Sequence, residues 1–166
     1  MTGRFAYCPL CGQRLSAVEE SGRRRMACRQ CGFVHYRNPA PAAAMLVTDA
    51  EGRVLLVRRR FDPFRGLWTM PAGFIEYGED SRDTAVRELE EETGLIARIE
   101  GIHSVESCAD DPRGETLLVV FRGRATGGEL LAGDDAEEAS FFPLGALPEI
   151  AFECQRRVLR RLAGKR

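Results

Sequence analysis

Four glutamates stand close together between Arg87 and Thr93: Glu88, Glu90, Glu91 and Glu92. On an α-helix, which turns about 100° per residue, Glu88, Glu91 and Glu92 share one face. Like charges at this spacing repel each other by roughly a few tenths of a kcal/mol per pair. Hard divalent ions such as Mg²⁺ bind carboxylates together with substrate phosphates, so the cluster indicates a metal site for phosphate chemistry. The alternative is a solvated acidic helix face, which composition alone favours.

The helix that must carry these glutamates is predicted over residues 81–93. Asp80 or Ser81 is a suitable N-cap, and Gly94 is a suitable end. An apolar stripe on the same helix can pack against a sheet and hold the carboxylates in place; it consists of Ala85, Val86 and Leu89. Glu90 lies outside both faces and is expected in solvent.

The rest of the chain supplies strands and a second helix. Apolar runs bounded by turn residues predict strands at 42–48, 53–60, 96–108 and 115–124. Shorter extended pieces are expected at 67–71 and 139–142, and an amphipathic basic helix at 152–162. Helices interleaved with mixed strands are typical of an α/β fold, with a sheet held between helices.

Four cysteines near the N-terminus form two pairs with the spacing C-x2-C-x16-C-x2-C: Cys8, Cys11, Cys28 and Cys31. This spacing favours a structural zinc site. Disulfide bonds are the alternative, but they persist mainly in oxidising compartments. Cys108 and Cys154 are single and distant from each other, and both are expected to be small buried hydrophobic residues.

Prolines divide the chain into two predicted domains. Pro39 and Pro41 stiffen a boundary between a zinc ribbon over 1–38 and a larger domain over 39–166.

The chain is 44% hydrophobic and 30% charged, as expected for a folded protein. Its net charge of −1 argues against nucleic-acid binding by bulk electrostatics. Neither a membrane span nor a secretory signal is recognised, so a cytoplasmic protein is expected.

The segment from Gly73 to Leu95 resembles the Nudix hydrolase signature, G-x5-E-x7-R-E-U-x-E-E-x-G-U, where U is a bulky aliphatic residue. Every fixed position of the signature is present: Gly73, Glu79, Arg87, Glu88, Leu89, Glu91, Glu92, Gly94 and Leu95. The approach Leu67–Ala72 and the later Phe141–Leu144 are also similar to that superfamily. The cysteine-bearing segment resembles the zinc ribbon of one Nudix subgroup.

This resemblance implies a Nudix α/β/α sandwich with a mixed sheet, preceded by a small zinc ribbon. It implies metal-dependent hydrolysis of the pyrophosphate bond in a nucleoside diphosphate linked to another group, X. Glu88, Glu91 and Glu92 match the ligands of Mg²⁺ or Mn²⁺, and Arg87 matches the arginine that fixes a ligand glutamate. Glu79 matches a glutamate that acts as an outer ligand or in the base machinery. Gly73 and Gly94 match glycines that permit tight turns on either side of the helix.

The resemblance also implies a general base outside the signature, in a loop before the late strand. That loop is 133–138, and Glu138 is the preferred base, with a surface acid as the alternative. An adenine could stack on Phe61, Phe64 or Trp68, although aromatic residues more often pack in the core.

Two ribbon-bearing subgroups are similar to this chain. NADH pyrophosphatases carry S-Q-P-W-P-F-P-x-S after the signature, whereas residues 103–110 here read HSVESCAD. The approach Trp68–Gly73 fits better with the group active on ADP-ribose and FAD, which are therefore the expected substrates. Hydrolysis of nucleoside triphosphates is the enzymatic alternative, and NADH hydrolysis a further one.

The non-enzymatic alternative is a ligand sensor whose ribbon binds nucleic acid through Arg23–Arg25. A solvated ribbon hairpin is the simpler interpretation of these arginines, so a small nucleotide is expected as the partner. A homodimer is expected by resemblance alone.

Overall fold

The computed structural model describes residues 5–164. These residues form two compact units, the first ending at Asn38 and the second beginning at Pro39. The first unit is a three-stranded antiparallel sheet in the order β1-β2-β3. Its strands are β1 (Ser16–Glu20), β2 (Arg23–Ala27) and β3 (Val34–His35).

The second unit contains seven strands and two helices within the described residues. In chain order these are β4 (Ala40–Val47), β5 (Val54–Arg59), β6 (Trp68–Thr69), β7 (Ala72–Phe74), α1 (Ser81–Thr93), β8 (Leu95–Cys108), β9 (Thr116–Gly128), β10 (Ala136–Phe142) and α2 (Glu153–Leu162). They form a four-stranded sheet ordered β7-β4-β9-β8 and a three-stranded sheet ordered β10-β5-β6. The four-stranded sheet is mixed, because β4 and β9 are parallel while its other strand pairs are antiparallel.

Strand β4 shows why helices cover both faces. Its side chains are apolar at nearly every position, which is typical of a strand buried on both sides. Alternate residues such as Ala44 and Leu46 pack in one cluster with Val158 of α2. The intervening residues, including Met45, pack in another cluster that holds Ala85 and Leu89 of α1. The predicted α/β/α arrangement with a mixed sheet is therefore confirmed.

Helix α1 begins and ends as its sequence predicts. The Asp80 side chain accepts a hydrogen bond of 2.8 Å from the Arg82 amide and caps the first turn. Gly94 adopts a left-handed conformation with φ of 69°, and its amide donates to the Glu90 carbonyl. Such a conformation is easily reached only by glycine, so the helix stops there.

Strand β10 is longer than predicted. It begins at Ala136, so Glu138 lies within a strand and not in the preceding loop. Glu138 pairs with Arg58 of the neighbouring strand β5. Their side chains form an ion pair at 3.3 Å. The negative charge of Glu138, which is typical of a loop, is thus compensated by an arginine on the neighbouring strand.

The expectation for Cys108 and Cys154 is wrong in one respect. Both residues are buried, but they form a disulfide bond between the end of β8 and the first turn of α2. Their Cα atoms lie 5.2 Å apart although 46 positions separate them in the chain. The pairing depends on how α2 packs over the sheet, which a sequence pattern does not reveal.

No helix among residues 5–164 has the length and apolar character needed to cross a membrane.

Candidate active site

Arg87 of α1 lies at the centre of the acidic cluster. Its guanidinium donates two hydrogen bonds to the Glu79 carboxylate, at 2.8 and 3.1 Å. A third nitrogen donates to Glu88 at 2.8 Å and to Glu91 at 2.9 Å. One arginine thus holds three carboxylates, which offsets much of their mutual repulsion.

Glu79 is fixed by this arrangement as an ionised group. The Arg87 hydrogen bonds lower the pKa of the Glu79 carboxyl to about 2, with help from the Thr84 side chain and from the backbone amide of Glu76. A carboxylate with so low a pKa accepts a proton poorly near neutral pH. Its hydrogen bonds instead orient the Arg87 side chain.

Glu92 has a different environment. It is buried, and its carboxylate accepts a hydrogen bond of 3.0 Å from the Ala72 amide. The pKa of its carboxyl is raised to about 8, mainly by burial and also by the charges of Glu88 and Asp135, against the opposing effects of the Ala72 amide and Arg59. A buried acid with these neighbours is costly to ionise without a nearby cation.

Glu88 lies between these two environments. Burial raises the pKa of its carboxyl, as do the charges of Glu91 and Asp134, whereas Arg87 opposes this shift. The carboxylate lies against the backbone of Gly73, where a Cβ atom would overlap it. Gly73 is therefore needed for the close approach of Glu88, and no left-handed backbone conformation is involved.

The chemistry of this donor set fits a hard divalent cation. Glu88, Glu91 and Glu92 offer only oxygen atoms, two of them are partly or fully buried, and they repel one another. One Arg87 nitrogen bridges Glu88 and Glu91. Among residues 5–164, only the four cysteines of the first unit form a group whose ligand atoms all lie within 4.8 Å of one another, so the three carboxylates are less tightly grouped. Glu90 is exposed and takes no part.

Two loop aspartates join the acidic cluster. The segment from Leu131 to Gly133 runs over the end of α1, since the amides of these two residues donate to the carbonyls of Thr93 and Glu92. The following Asp134 and Asp135 lie close enough for their charges to act on Glu88 and Glu92. The acidity of this loop was visible in the sequence, but which acid reaches the cluster was not.

A pocket adjoins the carboxylates. Ala72 and Gly73, which contact Glu92 and Glu88, also form part of its wall. The other lining residues include two aromatic rings, two arginines, one amide and the disulfide: Phe74, Phe152, Arg59, Arg113, Gln155, Cys108 and Cys154. Phe74 stands at a variable position of the signature, and Arg59 and Gln155 belong to no recognisable motif, so the sequence alone does not indicate these three residues.

Phe61 and Trp68 do not line this pocket. Phe61 is exposed, whereas Trp68 packs edge-on against Phe142, with ring centroids 4.7 Å apart, beside the core. Phe64 packs in the same manner against Phe152 at 5.2 Å. Phe152 and Phe74 are therefore the aromatic rings available to a ligand in the pocket.

Arg59 connects the pocket with the acidic cluster. Its Nε donates to the Pro63 carbonyl at 2.8 Å, and its guanidinium lies over the Phe152 ring at 5.3 Å. Burial lowers the pKa of this guanidinium, while the charges of Glu92, Asp111 and Asp135 favour its protonated form. A half-buried cation at this point is suited to bind a phosphate.

The first unit contains a second candidate metal site. The sulfur atoms of its four paired cysteines all lie within 4.8 Å of one another: Cys8, Cys11, Cys28 and Cys31. The Cys8 and Cys31 sulfurs are 3.5 Å apart, as are those of Cys11 and Cys28. Four thiols at this separation suit a single tetrahedral zinc ion, and His35 is not part of the group.

Comparisons with known proteins agree with both units. The NUDIX domain family model matches residues 38–162, and the Nudix N-terminal family model, a zinc ribbon, matches residues 6–37. A NUDIX hydrolase from Nitrosomonas europaea has a similar structure, with a TM-score of 0.76 and 28% identity. That match covers 97% of this chain and 94% of the other.

Two curated relatives carry functional names. An ADP-ribose pyrophosphatase of Methanocaldococcus jannaschii is 44% identical over 119 residues, covering 71% of this chain and 70% of that protein. The NAD-capped RNA hydrolase NudC of Pseudomonas aeruginosa is 34% identical over 158 residues, covering 94% of this chain. The match covers 53% of that relative, so this chain spans about half of its length. The fold, the signature and these matches establish that the chain belongs to the Nudix hydrolase family, in the group that carries an N-terminal zinc ribbon.

Proposed function

We propose that this protein hydrolyses the pyrophosphate bond of ADP-ribose, FAD or a related ADP-containing dinucleotide, with Mg²⁺ or Mn²⁺ as its metal. The observation that carries the proposal is the shared wall of Ala72 and Gly73 between the carboxylates and the pocket. A pyrophosphate at the carboxylates would place one of its attached groups in the aromatic pocket. The ADP-ribose pyrophosphatase named above, at 44% identity, supports the same substrate class.

Glu88, Glu91 and Glu92 would hold the divalent ion. When bound, such an ion neutralises phosphate charge and lowers the pKa of water. Arg87 orients Glu88 and Glu91, and Glu79 orients Arg87. Arg59 binds a phosphate oxygen from the pocket side. In the reaction the oxygen of water bonds to one phosphorus, the bridging P–O bond breaks, and the departing phosphate keeps its electron pair.

The proton released by water needs a carboxylate acceptor, which we place in the segment 133–138. The sequence favours Glu138, but this residue lies on β10 and its carboxylate forms an ion pair with Arg58. Asp134 and Asp135 act electrostatically on Glu88 and Glu92, which favours one of these aspartates as the base.

The substrate test is a panel of ADP-ribose, FAD, NADH and dGTP with Mg²⁺ or Mn²⁺. We expect AMP plus ribose 5-phosphate from ADP-ribose, and AMP plus FMN from FAD, both faster than cleavage of NADH. Hydrolysis in ¹⁸O-labelled water identifies the phosphorus attacked. Label in pyrophosphate from dGTP, with ADP-ribose and FAD inert, would show a triphosphate hydrolase instead. Binding without any turnover would show a ligand sensor.

NAD(H) is the second candidate substrate, because the match to NudC includes the ribbon and covers 94% of this chain. In the region where NADH pyrophosphatases carry their additional motif, residues 103–108 of this chain belong to β8 and contain no tryptophan. Preference for NADH over ADP-ribose is therefore not expected.

We also propose a homodimer, supported by exposed apolar side chains on β8 and β9 such as Ile102, Val105 and Leu117. Sedimentation analysis measures this directly.

Substitution of Gly73 by alanine should lower kcat/KM by about 100-fold, because a displaced catalytic group can cost that much. The new Cβ would overlap the Glu88 carboxylate and displace it from its contact with Arg87. Gly101→Ala is the matched control, since an added Cβ at Gly101 meets no atom within 4 Å. Steady-state kinetics of the two variants at saturating Mg²⁺ provides the comparison. Equal activity would show that the position of Glu88 is unimportant.

A further inference from the structure

Gln155 is the buried amide of the pocket. It lies in the first turn of α2, and only 3% of its surface is exposed. Its Oε1 accepts hydrogen bonds from the Met70 amide at 2.7 Å and from the Thr69 hydroxyl at 2.9 Å. A backbone N–H can only donate, so the Gln155 oxygen must face Met70 and the amino group must face away.

The amino group of Gln155 is left without a partner among residues 5–164. Its Nε2 donates no hydrogen bond to a described residue, and this nitrogen is accessible to solvent. Gln155 lines the pocket, so this group presents two fixed N–H donors to whatever enters. Because Thr69 and Met70 hold the oxygen, the amide cannot turn over to offer an acceptor instead.

The surroundings of this donor suit a flat heterocycle. Ala42, Leu118 and the disulfide give the pocket apolar walls, and Phe74 and Phe152 add aromatic surface. The Asp111 carboxylate is engaged by Arg113 at 2.7 Å, so it offers little to a ligand. A sugar needs both donors and acceptors for its hydroxyl groups. A base needs apolar contact for its faces and a donor for its ring nitrogens.

We propose that Gln155 recognises the adenine of the substrate by donating a hydrogen bond from Nε2 to a ring nitrogen of the base. The inference rests on the proposed ADP-containing substrate and assigns the end of it that occupies the pocket. Gln155 then contributes to the specificity for adenine and takes no part in the reaction itself. The chemistry takes place beyond Ala72 and Gly73, at the carboxylates.

The test measures binding, so that it does not depend on turnover. Calorimetry with Mg²⁺ compares AMP with 1-deaza-, 3-deaza- and 7-deaza-AMP, each of which lacks one ring nitrogen acceptor. At least one analogue should bind the wild-type protein about 3- to 10-fold more weakly than AMP, the range for one neutral hydrogen bond. That difference should disappear in Gln155→Glu and in Gln155→Met.

The two variants have complementary purposes. Gln155→Glu keeps an oxygen for the Met70 amide and preserves the local fold, whereas Gln155→Met removes every donor whatever the protonation state. The proposal is overturned if AMP does not bind, if all three analogues bind wild type as AMP does, or if the loss persists in both variants. The wild-type comparison alone can overturn it, even if neither variant folds.

Failure of the proposed function has a different signature. If ADP-ribose and FAD are not hydrolysed but the deaza effect is found and depends on Gln155, the pocket reads adenine and only the reaction is misassigned. If both are hydrolysed and no analogue differs from AMP, the reaction stands and the role of Gln155 does not.

Discussion

Glu91→Gln and Glu92→Gln should each reduce kcat/KM by about 100-fold or more while the protein remains folded. Each change removes a carboxylate from the proposed metal site and with it part of the stabilisation of charge on the pyrophosphate. A glutamine at position 92 can still accept the hydrogen bond from the Ala72 amide, so the local structure should persist. Steady-state kinetics with a titration of Mg²⁺ measures both the rate and the apparent metal affinity.

Glu90→Gln is the matched control, because Glu90 lies on the same helix turn but is exposed and outside the cluster. Its activity should equal that of the wild type. Near-normal turnover in both Glu91→Gln and Glu92→Gln at saturating Mg²⁺ would contradict the metal-site assignment.

Glu92→Gln should also be more stable than the wild type when no divalent ion is added. Burial raises the pKa of the Glu92 carboxyl from 4.5 to about 8. Below pH 4.5 the carboxyl is protonated in both folded and unfolded chains, so the variant gains nothing. As the pH rises towards 8, ionisation increasingly favours the unfolded wild-type chain. The difference in melting temperature between variant and wild type should therefore grow between pH 4.5 and 8, and a constant difference would contradict the burial argument.

Cys28→Ser should release about one zinc ion per chain and unfold the first unit. Cys28 is buried, and its sulfur lies 3.5 Å from that of Cys11. Within the described part of the chain, the small cluster around it includes only Cys8 and Leu15 as further buried residues. So small a core cannot stabilise a sheet without the metal, and zinc affinity in such sites amounts to about 10–16 kcal/mol of folding free energy. Metal analysis and thermal unfolding measure the two effects.

Arg29→Ala is the control for this variant, since Arg29 follows Cys28 directly but is exposed. It should retain zinc. Activity of Cys28→Ser should decline without vanishing, because the second unit has its own core. Absence of zinc from the purified wild type, together with absence of free thiols, would instead indicate that the four cysteines form disulfides.

Helix α1 and its glutamates could be predicted because their information is local. The Asp80 cap, the Gly94 stop and the spacing of Glu88, Glu91 and Glu92 depend on neighbours within a few residues. A backbone with 3.6 residues per turn converts that spacing directly into a shared face. The spacing within each cysteine pair is also local, and the two pairs together predict the four-thiol group found in the first unit.

Contacts between distant segments were decided only by the tertiary structure. The disulfide joins Cys108 to Cys154 because α2 packs over the end of β8, and a residue type says nothing about such a meeting. Glu138 lies on β10 opposite Arg58 of β5. Asp134 and Asp135, in the preceding loop, are the acids whose charges act on Glu88 and Glu92.

The substrate pocket shows the same division most clearly. The signature by itself predicted the proposed metal ligands and the arginine that orients them, since these residues lie in one helix. The pocket is assembled from Arg59 of β5, Phe74 of β7 and Gln155 of α2. Each of these residues is ordinary in its own segment. Packing of the two helices on opposite faces of the sheets brings the Gln155 amide to the Met70 backbone, in a pocket that shares Ala72 and Gly73 with the carboxylates. Hydrophobic burial joins such segments without regard to their separation in the chain.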